Sequence, residues 1–177
     1  AWPHRWEFDK GCESFLGLAD RAASLESRGG PRLRWCLLGH RGANPPEAMT
    51  TFLTRHADRI RHAGWIADRA DYRATLAQCD WVLSTSRHEF FGIGVAEALL
   101  EGCLPWLPKR LSYPELVPEE AFELDPWTMP EEARRTPAQQ TQVARVSEGI
   151  RARLDAAIAP HAVGRLESEI HRAMDLR

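Results

Sequence analysis

Lysine is almost absent from this chain of 177 residues: of 23 basic side chains 21 are arginine, and only Lys10 and Lys109 are lysine. Long apolar runs are missing too. None approaches the ~20 residues that a bilayer-spanning helix needs, so no membrane segment is expected. The formal net charge is only −2, which gives no overall attraction to nucleic acid or anionic lipid. Cys12, Cys36, Cys79 and Cys103 stand far apart without a C-x-x-C pair, so zinc and dithiol motifs lack support. No H-E-x-x-H or D-x-D stretch offers a metal set, and no internal repeat or low-complexity tract is present. The opening residues, Ala1-Trp2-Pro3-His4-Arg5, read neither as a signal peptide nor as an initiator-methionine start.

What is present is ordinary globular material, with 44% hydrophobic and 27% charged residues. A chain of this size buries about 70% of its unfolded surface and suits one domain. The four cysteines read as free, mostly buried thiols in a reducing cytosol, with a disulfide pair as the competing reading. Short apolar runs alternate with helical spacing. Residues 13–26 form a helix ended by Gly29-Gly30, and 33–38 a strand stopped at Gly39. Pro45-Pro46 opens a helix carrying Met49, Phe52, Leu53 and Ile60. Strands follow at 62–66, 80–84 and 103–107, with helices at 72–79 and 92–100 between them. A turn-rich stretch (108–118) and a weak strand (122–124) precede a helical tail over 130–176, broken near Pro160. This alternation predicts an α/β fold: a parallel sheet with helices on both faces, joined by right-handed crossovers. Ligands of such sheets sit outside the carboxyl ends of the strands.

Three clusters fall there. Arg5 and Lys10 share a loop before the first helix, an arrangement suited to a diphosphate; surface ion pairs with Glu7 and Asp9 are the competing reading. The stretch 84–97 leaves the clearest strand, crosses Gly92 and Gly94 and enters a helix. It brings Glu89 and Glu97 toward one crevice, where carboxylates accept hydrogen bonds from sugar hydroxyls. The competing reading makes Glu97 an ordinary surface residue and the glycines a turn. Gly64-Trp65-Ile66, with Tyr72 nearby, offers a surface for a flat ring such as a nucleobase, against a core role for Trp65.

Together these clusters resemble the C-terminal half of a retaining GT-B glycosyltransferase of family 4. Glu89 and Glu97 match its E-x7-E motif, Arg5, Lys10 and Gly11 its phosphate loop, and Gly64-Trp65-Ile66 its base loop. The runs 4–10 (HRWEFDK), 86–92 (SRHEFFG) and 108–115 (PKRLSYPE) are similar to motifs of the tRNA-queuosine α-mannosyltransferase family. The resemblance spans His4 to about Pro118. It implies a Rossmann-like fold, GDP-mannose as donor, the queuosine base of a tRNA as acceptor, tRNA modification in the cytoplasm, and no metal or other cofactor. The alternatives are a UDP- or ADP-sugar donor with a small-molecule or lipid acceptor, and a nucleotide-binding module without catalysis.

The resemblance also assigns roles. Arg5 and Lys10 would neutralise the departing diphosphate, Glu89 would hold the donor sugar, and Glu97 the ribose. Backbone N–H groups of Phe91, Gly92 and Ile93 would hold phosphate and sugar oxygens. Ile66, with Gly64 and Trp65, would read the base, and His88 would line the wall. Arg87 and Lys109 receive no assigned role. The whole chain, 1–177, reads as the nucleotide-sugar-binding domain, with 130–177 as its tail. Arg5 stands so near the first residue that either a short strand remains at 1–3 or an N-terminal acceptor domain is missing. The expectation is an excised half whose polypeptide binds nucleotide without efficient transfer. Robust mannosyl transfer by these 177 residues alone would contradict it.

Overall fold

The computed structural model describes residues 1–129 and 135–157. In chain order these form α1 (Cys12–Glu26), β1 (Trp35–Leu37), α2 (Glu47–Arg55), β2 (Ile60–Ala63), α3 (Arg69–Leu76), β3 (Trp81–Leu83), α4 (Ile93–Leu100), β4 (Leu104–Trp106), α5 (Tyr113–Leu116) and α6 (Pro137–Ala157). Short 3₁₀ turns occupy Phe8–Lys10, Ala57–Arg59 and Glu119–Glu123. β1 pairs with β2 and β3 with β4, both in parallel.

The N-terminal segment joins the two pairs. Trp2 bridges Leu37 in parallel, its N–H donating to the Cys36 carbonyl at 2.8 Å while its carbonyl accepts from Leu38 at 3.2 Å. On its other side, Leu83 N–H donates to the Ala1 carbonyl at 2.9 Å, and the Ala1 nitrogen donates to the Trp81 carbonyl. Backbone bonds therefore run in the order β2, β1, residues 1–2, β3, β4.

Side chains alternate across this layer with the period of two that strands impose. Trp2, Trp35, Leu37 and Leu83 pack with Phe15, Ala19, Met49 and Phe52 of α1 and α2. Cys36 and Val82 face the opposite core, which Leu76, Val95, Leu99, Leu116, Val146 and Ile150 supply from α3 to α6 and which Leu104 joins at the start of β4. Helices thus cover both faces of an α/β fold. α1 forms because Cys12, Phe15, Ala19 and Ala22 recur on one helical face and are all buried. α3 starts where Asp68 accepts the Asp71 N–H at 2.9 Å.

Several boundaries differ from the sequence reading. Ile60 belongs to β2, not α2: the helix stops at Arg55, where Arg55 and His56 dock on Asp20 of α1 at 2.5 and 2.8 Å, and a 3₁₀ turn follows. β2 accordingly begins before His62 and ends at Ala63, and α3 begins before Tyr72 and ends at Leu76. The stretch 108–118 contains α5. Residues 122–124 are no strand. Pro118 leads into a 3₁₀ turn, where Ala121 N–H folds back to the Pro118 carbonyl at 3.0 Å; a short apolar run does not by itself separate the two. Of the helical tail, α6 is described, whereas 130–134 and the break near Pro160 lie outside the described residues.

Backbones approach closely at the carboxyl end of the N-terminal segment. A Cβ on Gly39 would stand 1.6 Å from the His4 carbonyl oxygen, whereas one on Gly17 of α1 would meet nothing within 4 Å. Gly39→Ala should cost about 3 kcal/mol by forcing the backbone apart, while Gly17→Ala should gain about 0.5–1 kcal/mol from helix propensity. Urea unfolding of both variants checks the pair; equal effects would contradict this packing.

Candidate functional site

Three of the loops at the carboxyl ends of the strands carry the predicted residues. The first, residues 4–11, closes on the loop after β3. Gly11 has φ +69°, and a Cβ there would lie 2.2 Å from the Thr85 carbonyl oxygen, so only glycine fits. Around this contact Thr85 Oγ1 donates to the Lys10 carbonyl at 2.8 Å and accepts from Trp2 Nε1 at 3.0 Å. Arg87 N–H donates to the Asp9 carbonyl at 2.7 Å. The two loops are sewn together by backbone and hydroxyl bonds, which fixes the side chains between them.

Lys10 lies in that seam, its side chain only 12% exposed. Its Nζ stands 3.0 Å from the His88 carbonyl oxygen, 3.1 Å from Asp9 Oδ2 and 3.4 Å from Glu89 Oε2. An ammonium has three N–H donors, and three acceptors surround this one. Glu89 Oε2 is also 4.0 Å from Nδ1 of the buried His4, whose Nδ1 lies 3.5 Å from Ser86 Oγ. Burial, and then the positive charge of Lys10, push the His4 pKa down to about 3. His4 is therefore neutral near pH 7, and the cationic partner of Glu89 is Lys10.

The other predicted residues are distributed around this centre. Arg5 is half exposed and pairs with Glu7 at 3.2 Å. That pair, and Lys10 with Asp9, are the ion pairs of the competing sequence reading. Glu97 pairs with Arg69, the first residue of α3, at 2.9 Å, and burial and then the negative charge of Glu97 hold the Tyr72 hydroxyl above its ordinary range. Glu89 and Glu97 thus have separate partners, Glu97 facing the element that follows the Gly64 loop. In that loop Gly64 has φ +139°, and its N–H donates to the Leu37 carbonyl at 2.9 Å. Trp65 is 65% exposed, and Ile66 packs against the core. His88 is exposed as a side chain, although its carbonyl receives Lys10.

Gly92 precedes α4 at φ +84° with no side chain to cap the helix. The first-turn N–H groups of Ile93 and its neighbours thereby lack a local side-chain acceptor, a disposition that favours an anion. The approach to this helix is held by Ser112 Oγ, which donates to the Phe91 carbonyl at 2.9 Å, and by the Ser84–Tyr113 hydroxyl bond at 2.5 Å. Arg87 stacks over Phe8 with 4.6 Å to the ring centroid, and Lys109 pairs with Glu119 at the surface. Arg55 and Arg59 are likewise engaged, with Asp20 and Glu26. Among the described residues, no three His, Cys, Asp or Glu side chains gather to hold a metal ion, and no helix is long and apolar enough to cross a membrane.

The sequence leaves His4 and Arg41 without roles and gives Asp9 only that of a surface ion-pair partner. Arg41 Nη2 donates to the Ala63 carbonyl at 2.9 Å and its guanidinium lies over Trp6 at 4.9 Å, linking the first and third loops. The signal for His4 was available, since it directly follows the segment that becomes a central strand. Arg41 follows β1 by four residues and had no comparable mark.

These features define an α/β protein with a polar, partly buried site at the carboxyl ends of parallel strands. No family model matches the chain. Its sequence is 34% identical over 119 residues to the tRNA-queuosine alpha-mannosyltransferase of Drosophila melanogaster, covering 67% of this chain and 30% of that protein. The chain belongs to the family of that mannosyltransferase and spans about a third of its relative's length.

A neutral buried His4 has a pH consequence. Its pKa is about 3 in the folded chain against 6.5 for an unperturbed histidine. Below pH 6.5 the unfolded chain therefore takes up a proton that the folded chain refuses, and stability falls with pH until about pH 3. Between pH 7 and 5 this should cost about 2 kcal/mol in the wild type, and His4→Gln should remove that part of the slope. Urea unfolding at both pH values measures it; identical slopes in the two proteins would contradict a neutral His4.

Proposed function

We propose that the chain is the donor-binding, Rossmann-like half of a retaining GT-B glycosyltransferase, which transfers mannose from GDP-mannose to the queuosine base of a tRNA. Family membership supports a glycosyltransferase, and the relative's name supports mannose and queuosine. The observation that carries the site assignment is Lys10, held among three acceptors beside Glu89.

The chemistry follows from that cradle. A diphosphate arriving at the start of α4 competes with Asp9 and Glu89 for the Lys10 N–H groups. When it takes one, Lys10 and the helix N–H groups balance its charge, and Glu89 gains a free oxygen for the sugar hydroxyls. As the glycosidic bond breaks, negative charge grows on the leaving diphosphate. Fixed donors in a partly dehydrated seam stabilise that charge without reorganising. Arg5 adds its guanidinium by exchanging Glu7 for phosphate. Glu97 exchanges the exposed Arg69 for ribose hydroxyls, next to the Gly64–Ile66 loop where the base lies. The incoming acceptor attacks the face the diphosphate leaves, so the anomeric configuration is retained. No metal or other cofactor takes part. The acceptor lies mainly on an N-terminal domain of the full-length enzyme, whose basic surface supplies the phosphate contacts to tRNA, and the enzyme works in the cytoplasm.

Calorimetric titration of this chain with GDP, UDP and ADP tests the reading. GDP should bind tightest, and Lys10→Ala or Glu97→Ala should weaken it at least about tenfold. Tighter UDP or ADP binding would overturn the GDP-mannose assignment. No binding by any nucleotide would overturn the donor-half proposal. An unchanged affinity in Lys10→Ala would remove this site while leaving the family intact.

A further inference from the structure

A cavity of about 600 Å³ opens away from the seam of Lys10 and Glu89, around the starts of the strands. Its lining includes Ala1, Cys36, Cys79 and Trp81. Cys36 is the middle residue of β1, whereas Cys79 lies between α3 and β3, its N–H on the Leu76 carbonyl at 2.8 Å. Both side chains line this cavity and are partly buried against the same core, the two thiols are neighbours that influence each other's ionisation, and Cys79 Sγ donates to the Thr75 carbonyl at 3.3 Å. Ala1, in the strand position between β1 and β3, lines the same cavity. All four cysteines are free.

We propose that Cys36 and Cys79 are a reversible thiol–disulfide pair that closes on exposure to a peroxide. Cys79 sulfur attacks a peroxide oxygen. An S–O bond forms, the O–O bond breaks, and the departing hydroxide leaves as water with the thiol proton. Cys36 sulfur then attacks the sulfenic sulfur of Cys79. The S–S bond forms, the S–O bond breaks, and the second hydroxide leaves as water with the Cys36 proton. Two thiols and one peroxide thus become one disulfide and two waters; sulfur is oxidised and both peroxide oxygens are reduced.

The pair is distinguished from the other thiols by its surroundings. The neighbouring Cys36 thiol lowers the pKa of Cys79 and favours its thiolate. Burial instead pushes the thiols of Cys12 and Cys103 up to about 11 and 12. Carbonyl acceptors do not separate them, since Cys12 Sγ donates to the Glu7 carbonyl at 3.3 Å, Cys103 Sγ to the Cys79 carbonyl at 3.2 Å and Cys79 Sγ to the Thr75 carbonyl at 3.3 Å; what separates them is that neither Cys12 nor Cys103 lines the cavity shared by Cys36 and Cys79. With no metal-binding group among the described residues, the facing thiols are not part of an ion site. The disulfide would close a loop containing α2, β2 and α3 and tie β1 to the approach to β3, on either side of the N-terminal segment.

The full chain treated with equimolar hydrogen peroxide should lose two maleimide-reactive thiols and two hydrogen atoms of mass, regaining both with dithiothreitol. Peptide mapping should recover Cys36 linked to Cys79. The melting temperature should rise by about 5 °C through restriction of the unfolded chain, and Cys103→Ala should behave like the wild type. Cys36→Ser should form no intramolecular disulfide; if that variant fails to fold, the wild-type peptide map decides alone. An unchanged thiol count, a cross-link through Cys12 or Cys103, or oxidation of Cys79 without a partner would overturn the proposal.

Discussion

Ala1 and Trp2 exchange backbone hydrogen bonds with β1 on one side and β3 on the other, and the site depends on that insertion. Without it the strands form two separate parallel pairs. With it, the residues after Trp2 emerge at the carboxyl edge, between the loops that follow β1 and β3. Gly39 lies so close to the His4 carbonyl, and Gly11 to the Thr85 carbonyl, that a methyl group at either position would push the loops apart. The fold places Lys10 against Glu89 by this close backbone packing, before any attraction between their charges is counted.

Charge then sets what the placement can do. Lys10 is mostly buried, and a buried ammonium needs acceptors in its donor directions. Asp9, Glu89 and the His88 carbonyl supply them. His4, held neutral by burial and by Lys10, adds no second cation beside Glu89. The result is a seam whose buried cation is shared between two carboxylates, and the proposed function has it exchange one of them for an incoming anion. Arg5 and Arg69, both exposed and each on one carboxylate, are held far more weakly, since surface ion pairs contribute roughly 0–1 kcal/mol.

Much of this was legible in the sequence. Strand–helix alternation gave the α/β fold, and the strand-end rule picked out the loops of Lys10, Glu89 and Gly64. Residues 1–3 were expected as a possible short strand, but their central position was not visible, because backbone pairing partners leave no mark in three residues. The end of the 3₁₀ turn at 119–123 reads in sequence as a strand, since Phe122 and Leu124 carry no periodicity long enough to decide. The separate partners of Glu89 and Glu97 were also hidden. Eight residues across a loop and a helix start permit one crevice, but the pairing of Glu97 with Arg69 depends on where α3 begins. The scarcity of lysine proved informative in a limited sense: of the two lysines, Lys10 is in the seam and Lys109 in a surface pair with Glu119.

The central claim is that the loops joined at Gly11 and Thr85 receive a sugar nucleotide. A crystal structure of this chain soaked with GDP tests it most directly. The account predicts the diphosphate between Lys10 and the first turn of α4, with the guanine against the Gly64–Ile66 loop and the ribose on Glu97. A diphosphate bound elsewhere, for example in the cavity around Cys36 and Cys79, with Lys10 still held by Asp9 and Glu89, would contradict it.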